Sequence, residues 1–334
     1  MKIAILSTVE NYEWAGTEEV WAQFSKVALA AGHEVLVSAH WRIARSPQAQ
    51  SLKPLGLQIV ERKPFRPMRI YLAKEQYWGD MRLVQKFDPD VLLINSGSLF
   101  DILNLPVLRQ FCDRISVPKI FFCHFVAEGF IPHARDHVKA FAKTMQGWIF
   151  VSQHNKDLAE RQLAYCFDNA QIIVNGPRLV LDEPLPVPQT ETVHFACVAR
   201  FETRWKGQDV LLDVLSQSQW QDSKGATADI RSWHLNLYGT GPDSDYIEQL
   251  ICHYGLSEQV TCHGYVSDIQ SVWAQNHLMV LASRGEGTPL AVLEAMMCGR
   301  PTVTTDVGGN REILENGKTG WIADVATPYA FSRI

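Results

Sequence analysis

The sequence predicts an α/β protein made of two doubly wound domains. Short β-branched runs alternate with amphipathic stretches along the whole chain, the pattern of βαβ units with parallel sheets covered by helices on both faces. The 334 residues suit two domains of about 150 residues each better than one. A segment between Asn175 and Thr192 contains Pro177, Pro184, Pro186 and Pro188, which break helix and strand alike. This places an N-terminal domain at 1–175, a linker at 176–192 and a C-terminal domain at 193–334.

The first domain is expected to carry strands Ile3–Ser7, Glu34–Ser38, Leu57–Val60, Val91–Ile94, Lys119–Cys123, Trp148–Val151 and Gln171–Val174. The second carries Val193–Val198, His234–Tyr238, Gln259–Cys262, Leu278–Leu281 and Thr302–Thr304, with a last strand near Gly320–Ala323. Amphipathic periodicity predicts helices over Thr17–Ala31, Ile70–Phe87, Asp136–Met145, Lys156–Tyr165, Gln208–Ser218 and Asp245–Tyr254. Two doubly wound domains facing across a cleft would bind ligands beyond the C-terminal ends of their strands.

Composition narrows the class. No apolar run approaches the roughly 18 residues of a membrane-spanning helix, and the apolar stretch Met1–Thr8 is followed at once by Glu10, Asn11 and Glu13, as in a first strand rather than a signal peptide. Seven cysteines, with no C-x-x-C, fit a reduced, cytoplasmic protein. Residues 1–180 hold 21 Lys and Arg against 17 Asp and Glu, and the remainder holds 10 against 19. The mildly basic first half is compatible with a solvated surface or with peripheral contact at the inner face of a membrane. No dense basic cluster with interleaved aromatics favours nucleic acid.

The most informative stretch is Ser283 to Gly299, where a polar, glycine-rich loop becomes an apolar helix. Thr288 is a plausible N-cap, Pro289 suits the first helical position and Gly299 the stop. Glu286 then lies in the loop and Glu294 in the helix, its side chain tilted back toward the loop. The amides of residues 287–290 and the positive end of the helix dipole suit an anion. A carboxylate slightly deeper suits a hydroxyl pair such as a ribose diol. Phosphate and ribose together make a nucleotide. A solvated helix residue is the plainer reading of Glu294, but its neighbours from Ala291 to Met297 are apolar, and a carboxylate among them needs a partner.

These residues resemble the E-x7-E motif of retaining glycosyltransferases of family 4, which have the GT-B fold of two Rossmann-like domains. The resemblance continues through Arg300-Pro301-Thr302-Val303-Thr304-Thr305-Asp306-Val307-Gly308-Gly309-Asn310-Arg311-Glu312, close over 193–323 and looser over the first 180 residues. It implies that Glu286 lies near the transferred sugar, that Glu294 holds the nucleotide ribose, and that the amides of Gly287, Thr288, Pro289 and Leu290 meet the diphosphate and sugar. Such proteins continue through further helices, so this chain is expected to lack the final helices of its C-terminal domain.

A second cluster, Arg200 to Lys206, follows a strand and precedes a helix. Cations there can neutralise a diphosphate leaving group, Arg bidentately and Lys as a point charge. The resemblance maps the family's phosphate-binding pair onto Arg200 and Lys206, spaced by six where five is common, so Arg204 is an alternative. A solvated basic loop is the plain reading. Gly16 stands in Ala15-Gly16 where the family usually has Gly-Gly; it is either an acceptor-side backbone position or a simple turn glycine. A histidine after an apolar strand is most often structural. His124, at the end of Lys119–Cys123, matches a family histidine that hydrogen-bonds the sugar. Gly239, in an incomplete glycine-rich turn, and Tyr265 with Val266 at the next strand exit match the nucleotide's borders.

Two D-x-D triplets, Asp88-Pro89-Asp90 and Asp243-Ser244-Asp245, can hold a divalent cation for a nucleotide-sugar, but read better as a turn and a helix cap. No metal and no cofactor are expected. The function implied is transfer of a hexose-type sugar from a nucleotide-diphosphate sugar to a glycan or lipid-linked acceptor. An NAD(P)-dependent oxidoreductase, a nucleotide-sugar epimerase of GT-B architecture and a non-catalytic nucleotide-binding partner protein remain as alternatives.

Overall fold

The protein's computed structural model describes residues 1–10, 14–62, 81–129, 133–217 and 232–334. The chain divides into two compact units, Met1–Asn175 and Gly176–Ile334.

The first unit is a seven-stranded sheet in the order β3-β2-β1-β4-β5-β6-β7. Its strands are β1 (Lys2–Ser7), β2 (Glu34–His40), β3 (Gln58–Arg62), β4 (Val91–Ser96), β5 (Lys119–Cys123), β6 (Gly147–Phe150) and β7 (Ala170–Ile172). All are parallel to their neighbours. Both faces are buried, as an all-parallel sheet requires. Within β1 the alternation is direct: Ala4 and Leu6 join the apolar layer with Phe121 and Trp148, while Ile3 and Ile5 join the opposite layer with Trp21 and Ile43. The first layer holds an aromatic cluster, with Phe121 and Trp148 centroids 4.5 Å apart and Trp148 and Phe167 4.6 Å apart.

The second unit is a six-stranded parallel sheet in the order β10-β9-β8-β11-β12-β13. Its strands are β8 (Val193–Val198), β9 (Trp233–Tyr238), β10 (Val260–Gly264), β11 (Leu278–Leu281), β12 (Thr302–Thr305) and β13 (Gly320–Ala323). The proline-rich segment lies on this unit. Leu179, Leu181 and Leu185 pack against its core, and the buried Arg300 guanidinium donates to the carbonyls of Leu185 and Pro186.

In each sheet the strand order reverses once, between β1 and β4 in the first and between β8 and β11 in the second. A crevice opens beyond the strand ends at such a point, because the flanking connections leave for opposite faces.

Helices largely follow the predicted spans: Gly16–Ala30, Arg135–Ala142, Gln153–Leu163, Gln208–Ser216 and Ser244–His253. Of the span Ile70–Phe87, residues 81–87 are helical and 70–80 lie outside the described residues, as does Ser218. Ser152 caps its helix by accepting from the Asn155 amide at 3.1 Å, and Asp268 caps Ile269–Gln275 through the Ser271 amide. The helices Pro106–Arg114 and Ile269–Gln275 have no counterpart in the sequence reading. Each is short, with few turns over which a period can show.

Candidate active site

The second unit's site is assembled at its strand exits. Beyond β8 the chain makes a short turn of helix, Thr203–Lys206, before Gln208–Ser216. Beyond β11 it makes the loop 282–289, then the helix Leu290–Met297. The two exits are neighbours across the point of reversal. Lys206 Nζ spans it, donating to both Glu286 oxygens at 2.7 and 2.8 Å. Ser283 Oγ adds a third bond to Glu286 Oε1 at 2.7 Å. Glu286 is buried, so this pairing offsets the desolvation of its charge.

Arg284 fixes the same loop from the other side. Its guanidinium takes Asp209 bidentately, 2.7 Å on each oxygen, and also donates to the Thr203 carbonyl. The hydrogen bonds to Asp209 raise its pKa further. The sequence reading passed over Arg284, although it stands two residues before Glu286; a cation beside a candidate acid was the available signal. Arg200 contacts Glu202 at 3.2 Å, and Gln208 Nε2 donates to the Arg200 carbonyl at 2.7 Å. Arg204 is exposed and lies over the Trp205 ring at 4.8 Å, so Lys206, not Arg204, is the cation brought onto Glu286.

The exit of β12 supports the loop from below. Gly309 donates to the Gly287 carbonyl at 2.6 Å. A Cβ on Gly308, whose φ is +54°, would stand 2.3 Å from the Glu286 carbonyl oxygen and 2.4 Å from that of Gly287. Only glycine permits this approach. Thr305 Oγ1 donates to the Ser283 carbonyl, and the buried Asn310 amide holds Thr304 and Thr305. The Thr304–Asn310 part of the motif read from the sequence thus acts as a backing for the Glu286 loop.

On the other flank, Gly239 donates to the Gly264 carbonyl at 2.8 Å, and a Cβ there would meet the Ala199 carbonyl at 2.0 Å. The exits of β8, β9 and β10 are therefore in contact. Tyr265 is 62% exposed, and Val266 packs partly against the core.

The helix after the loop differs from expectation. Pro289 is its N-cap, in extended conformation with no side-chain cap, and Leu290 is the first helical residue, so Thr288 precedes the cap. Proline has no N–H, so of residues 287–290 only Gly287, Thr288 and Leu290 carry an amide donor. Glu294, fully buried, has the partner its surroundings demand: Arg178 Nε to Oε1 at 2.6 Å and Nη2 to Oε2 at 3.0 Å. Arg178 comes from the proline-rich segment, a source invisible to local periodicity.

The D-x-D triplets serve the fold. Asp90 accepts from the Lys2 amide at 2.7 Å. Asp243 is the N-cap of Ser244–His253, but its side chain leaves that helix uncapped and accepts instead from the Thr203 amide and hydroxyl, at 2.7 and 2.8 Å. The expected cap is thus a brace for the turn that carries Lys206.

The first unit's point of reversal is also polar. Gly16 is the exposed first residue of its helix. Two residues on, Glu18 is fully buried, accepting from Ser7 Oγ at 3.0 Å and Thr17 Oγ1 at 2.5 Å. Burial pushes its pKa up to about 7. Across the reversal, Asn95 in β4 donates to the Thr17 carbonyl at 3.2 Å and meets His124 Nε2 at 2.9 Å through its side-chain oxygen. His124 is buried and its pKa is pushed down to about 3. The sequence reading named Gly16 and His124 but neither Glu18 nor Asn95.

Two doubly wound parallel sheets, each with polar groups at its point of strand reversal, define an α/β protein with a ligand crevice at that point, and comparison narrows the class. The family described as Glycosyltransferase Family 4 matches residues 14–178, and that described as Glycosyl transferases group 1 matches residues 192–333. The chain belongs to the group 1, family 4 glycosyltransferases, with the GT-B fold. Among relatives, it is 36% identical over 171 residues to an N-acetyl-alpha-D-glucosaminyl L-malate synthase of Bacillus anthracis, matching 51% of this chain. The match spans 41% of that protein's length. It is 39% identical over 92 residues to an alpha-D-kanosaminyltransferase of Streptomyces kanamyceticus, covering 27% of this chain and 24% of that one. The structure of Anabaena Alr3699/HepE in complex with UDP-glucose matches with a TM-score of 0.75 at 18% identity, covering 100% of this chain and 88% of that one. At that identity the likeness concerns the fold.

Proposed function

We propose that the protein is a retaining glycosyltransferase that moves a hexose-type sugar from a nucleotide-diphosphate sugar to a glycan or lipid-linked acceptor, in the synthesis of a cell-surface polysaccharide or glycolipid. The contact that carries this reading is Lys206 Nζ on both oxygens of Glu286, across the strand reversal of the second unit.

In this reading Lys206, Arg200 and the amides of Gly287, Thr288 and Leu290 stabilise the diphosphate as it leaves. Preorganised donors aimed at developing charge supply most of the rate enhancement in such catalysis. Glu286 accepts from sugar hydroxyls, and Glu294 from the ribose diol. Gly239, Tyr265 and Val266 border the base. In the first unit, Gly16 lies toward the acceptor and His124 toward the sugar. The bond from the anomeric carbon to the phosphate oxygen breaks, and its electron pair goes to the diphosphate. The acceptor oxygen bonds to the same face, and its proton passes to a phosphate oxygen. The cations do the charge neutralisation, so no metal is required.

A thermal-shift panel of UDP, GDP, ADP and their sugars tests the reading. A ligand at 100 times its Kd adds about 2.7 kcal/mol to stability. One base should shift the melting temperature well above the others, and Lys206→Met should abolish that shift. No shift with any nucleotide at millimolar concentration would count against the reading.

A further inference from the structure

The hydrogen bonds around His124 fix which of its nitrogens carries the proton. The Thr17 carbonyl can only accept, so the atom of Asn95 that meets it at 3.2 Å is the amide nitrogen. The other side-chain atom of Asn95 is then the oxygen, also only an acceptor, and it meets His124 Nε2 at 2.9 Å. Nε2 must therefore donate. The chain of constraint begins at a backbone carbonyl on the first turn of the Gly16–Ala30 helix, and no side-chain rotation undoes it.

We propose that Asn95 is a positioning residue that holds His124 as the Nε2–H tautomer and so presents Nδ1 as a lone-pair acceptor for a hydroxyl group of the donor sugar.

Burial alone depresses the imidazole pKa, with no charged neighbour contributing, so the ring is neutral at pH 7 and only one nitrogen carries hydrogen. Nδ1 is buried and has no hydrogen-bond partner among the described residues. A buried acceptor left unmet is destabilising, and a bound hydroxyl would relieve that. The ring is held flat against Phe122, centroids 4.1 Å apart and planes 32° apart, so Nδ1 has a fixed direction. A lone pair there repels a phosphate oxygen, which also only accepts. His124 is thus suited to a sugar hydroxyl and unsuited to the diphosphate, which separates its role from that of Lys206. The inference rests on the reading of His124 as a sugar contact given above. What it adds is the residue that sets the tautomer and the sense of the hydrogen bond.

The test is long-range proton–nitrogen correlation on the full chain labelled with 15N-histidine, with Asn95→Asp and His124→Ala alongside. In the wild type at pH 7, His124 should show a pyridine-type Nδ1 and a pyrrole-type Nε2. In Asn95→Asp the carboxylate still accepts from Nε2 but favours imidazolium, so Nδ1 becomes a donor near neutral pH. UDP binding, followed by thermal shift, should stay within twofold. Turnover of UDP-glucose or UDP-N-acetylglucosamine to UDP should fall at least tenfold, in kcat rather than KM. A protonated Nδ1 in the wild type would overturn the proposal even if Asn95→Asp failed to fold. So would an Asn95→Asp protein whose His124 stays neutral with unchanged kcat. Unchanged turnover in His124→Ala, with the tautomer as expected, would instead remove His124 from the sugar site and leave the Asn95 assignment standing.

Discussion

Arg178 grips both carboxylate oxygens of Glu294, at 2.6 and 3.0 Å, within the second unit. These are the two oxygens that the proposed reading gives to the ribose diol. Arg178 is 35% exposed at its side chain while Glu294 is fully buried, so the arginine stands on the open side of the carboxylate. A nucleotide must displace this guanidinium or share the carboxylate with it.

The pair is the partner that the apolar surroundings of Glu294 demand, so neutralising the acid breaks a charged contact. Glu294→Gln should lower the stability of the ligand-free protein by about 1–3 kcal/mol, the range for a hydrogen bond to a charged group. Arg178→Leu should do the same, yet bind UDP more tightly, because the diol no longer competes. Urea melts and thermal shifts with UDP and 2′-deoxy-UDP check both. Weaker UDP binding by Arg178→Leu would place Arg178 among the groups that hold the nucleotide, and identical behaviour of ribose and deoxyribose ligands would move Glu294 away from the diol.

Lys206→Met should depress kcat/KM by roughly 2–4 kcal/mol of transition-state stabilisation, as for loss of one preorganised donor. Arg204→Ala should change it little, since that side chain is exposed on the Trp205 ring. Steady-state kinetics on both variants decide; an undiminished Lys206→Met enzyme would take this lysine out of the diphosphate site.

Glu18 makes stability depend on pH. In the folded protein it holds its proton up to about pH 7, against an ordinary value of 4.5. Between these values the folded state binds more protons than the unfolded state, so unfolding free energy falls as pH rises. The favourable contribution is complete below pH 4.5 and gone above pH 7, a swing of about 3 kcal/mol. Glu18→Gln should gain on the wild type by that order between pH 4.5 and pH 8 in urea denaturation. A gap that stays constant with pH would mean that Glu18 is ionised throughout.

Activity should survive excess EDTA if, as proposed, Lys206 and Arg200 supply the positive charge that a divalent ion would otherwise bring to the diphosphate. Complete loss, restored by Mg²⁺ or Mn²⁺, would require a different account of the leaving group.

What the sequence disclosed was whatever is local. Lys119–Cys123, Val193–Val198 and Leu278–Leu281 were legible to the residue because both faces of those strands are largely buried and their runs are apolar but for Lys119 and His194. Arg200, Lys206 and Glu286 were legible because each stands between a strand and a longer helix, and Glu294 because it is the acid within an apolar helix. Their partners were not. Arg178 reaches Glu294 across 116 positions, and Arg284 reaches Asp209 across 75. Such pairs are set by tertiary placement, which leaves no period. Asn95 stands one residue beyond the predicted strand Val91–Ile94, though within β4, and no local pattern marks it.

The charges of the second unit carry one more consequence. Arg178, Arg200, Lys206 and Arg284 each stand against a carboxylate, respectively Glu294, Glu202, Glu286 and Asp209. These four pairs cancel locally, so they give an approaching dianion no attraction to set against the carboxylate excess of residues 181–334, 10 Lys and Arg against 19 Asp and Glu. Its arrival rate should therefore rise with ionic strength. Selection then begins at contact, when phosphate and hydroxyl exchange places with carboxylate and guanidinium, and a ligand lacking either half has nothing to trade.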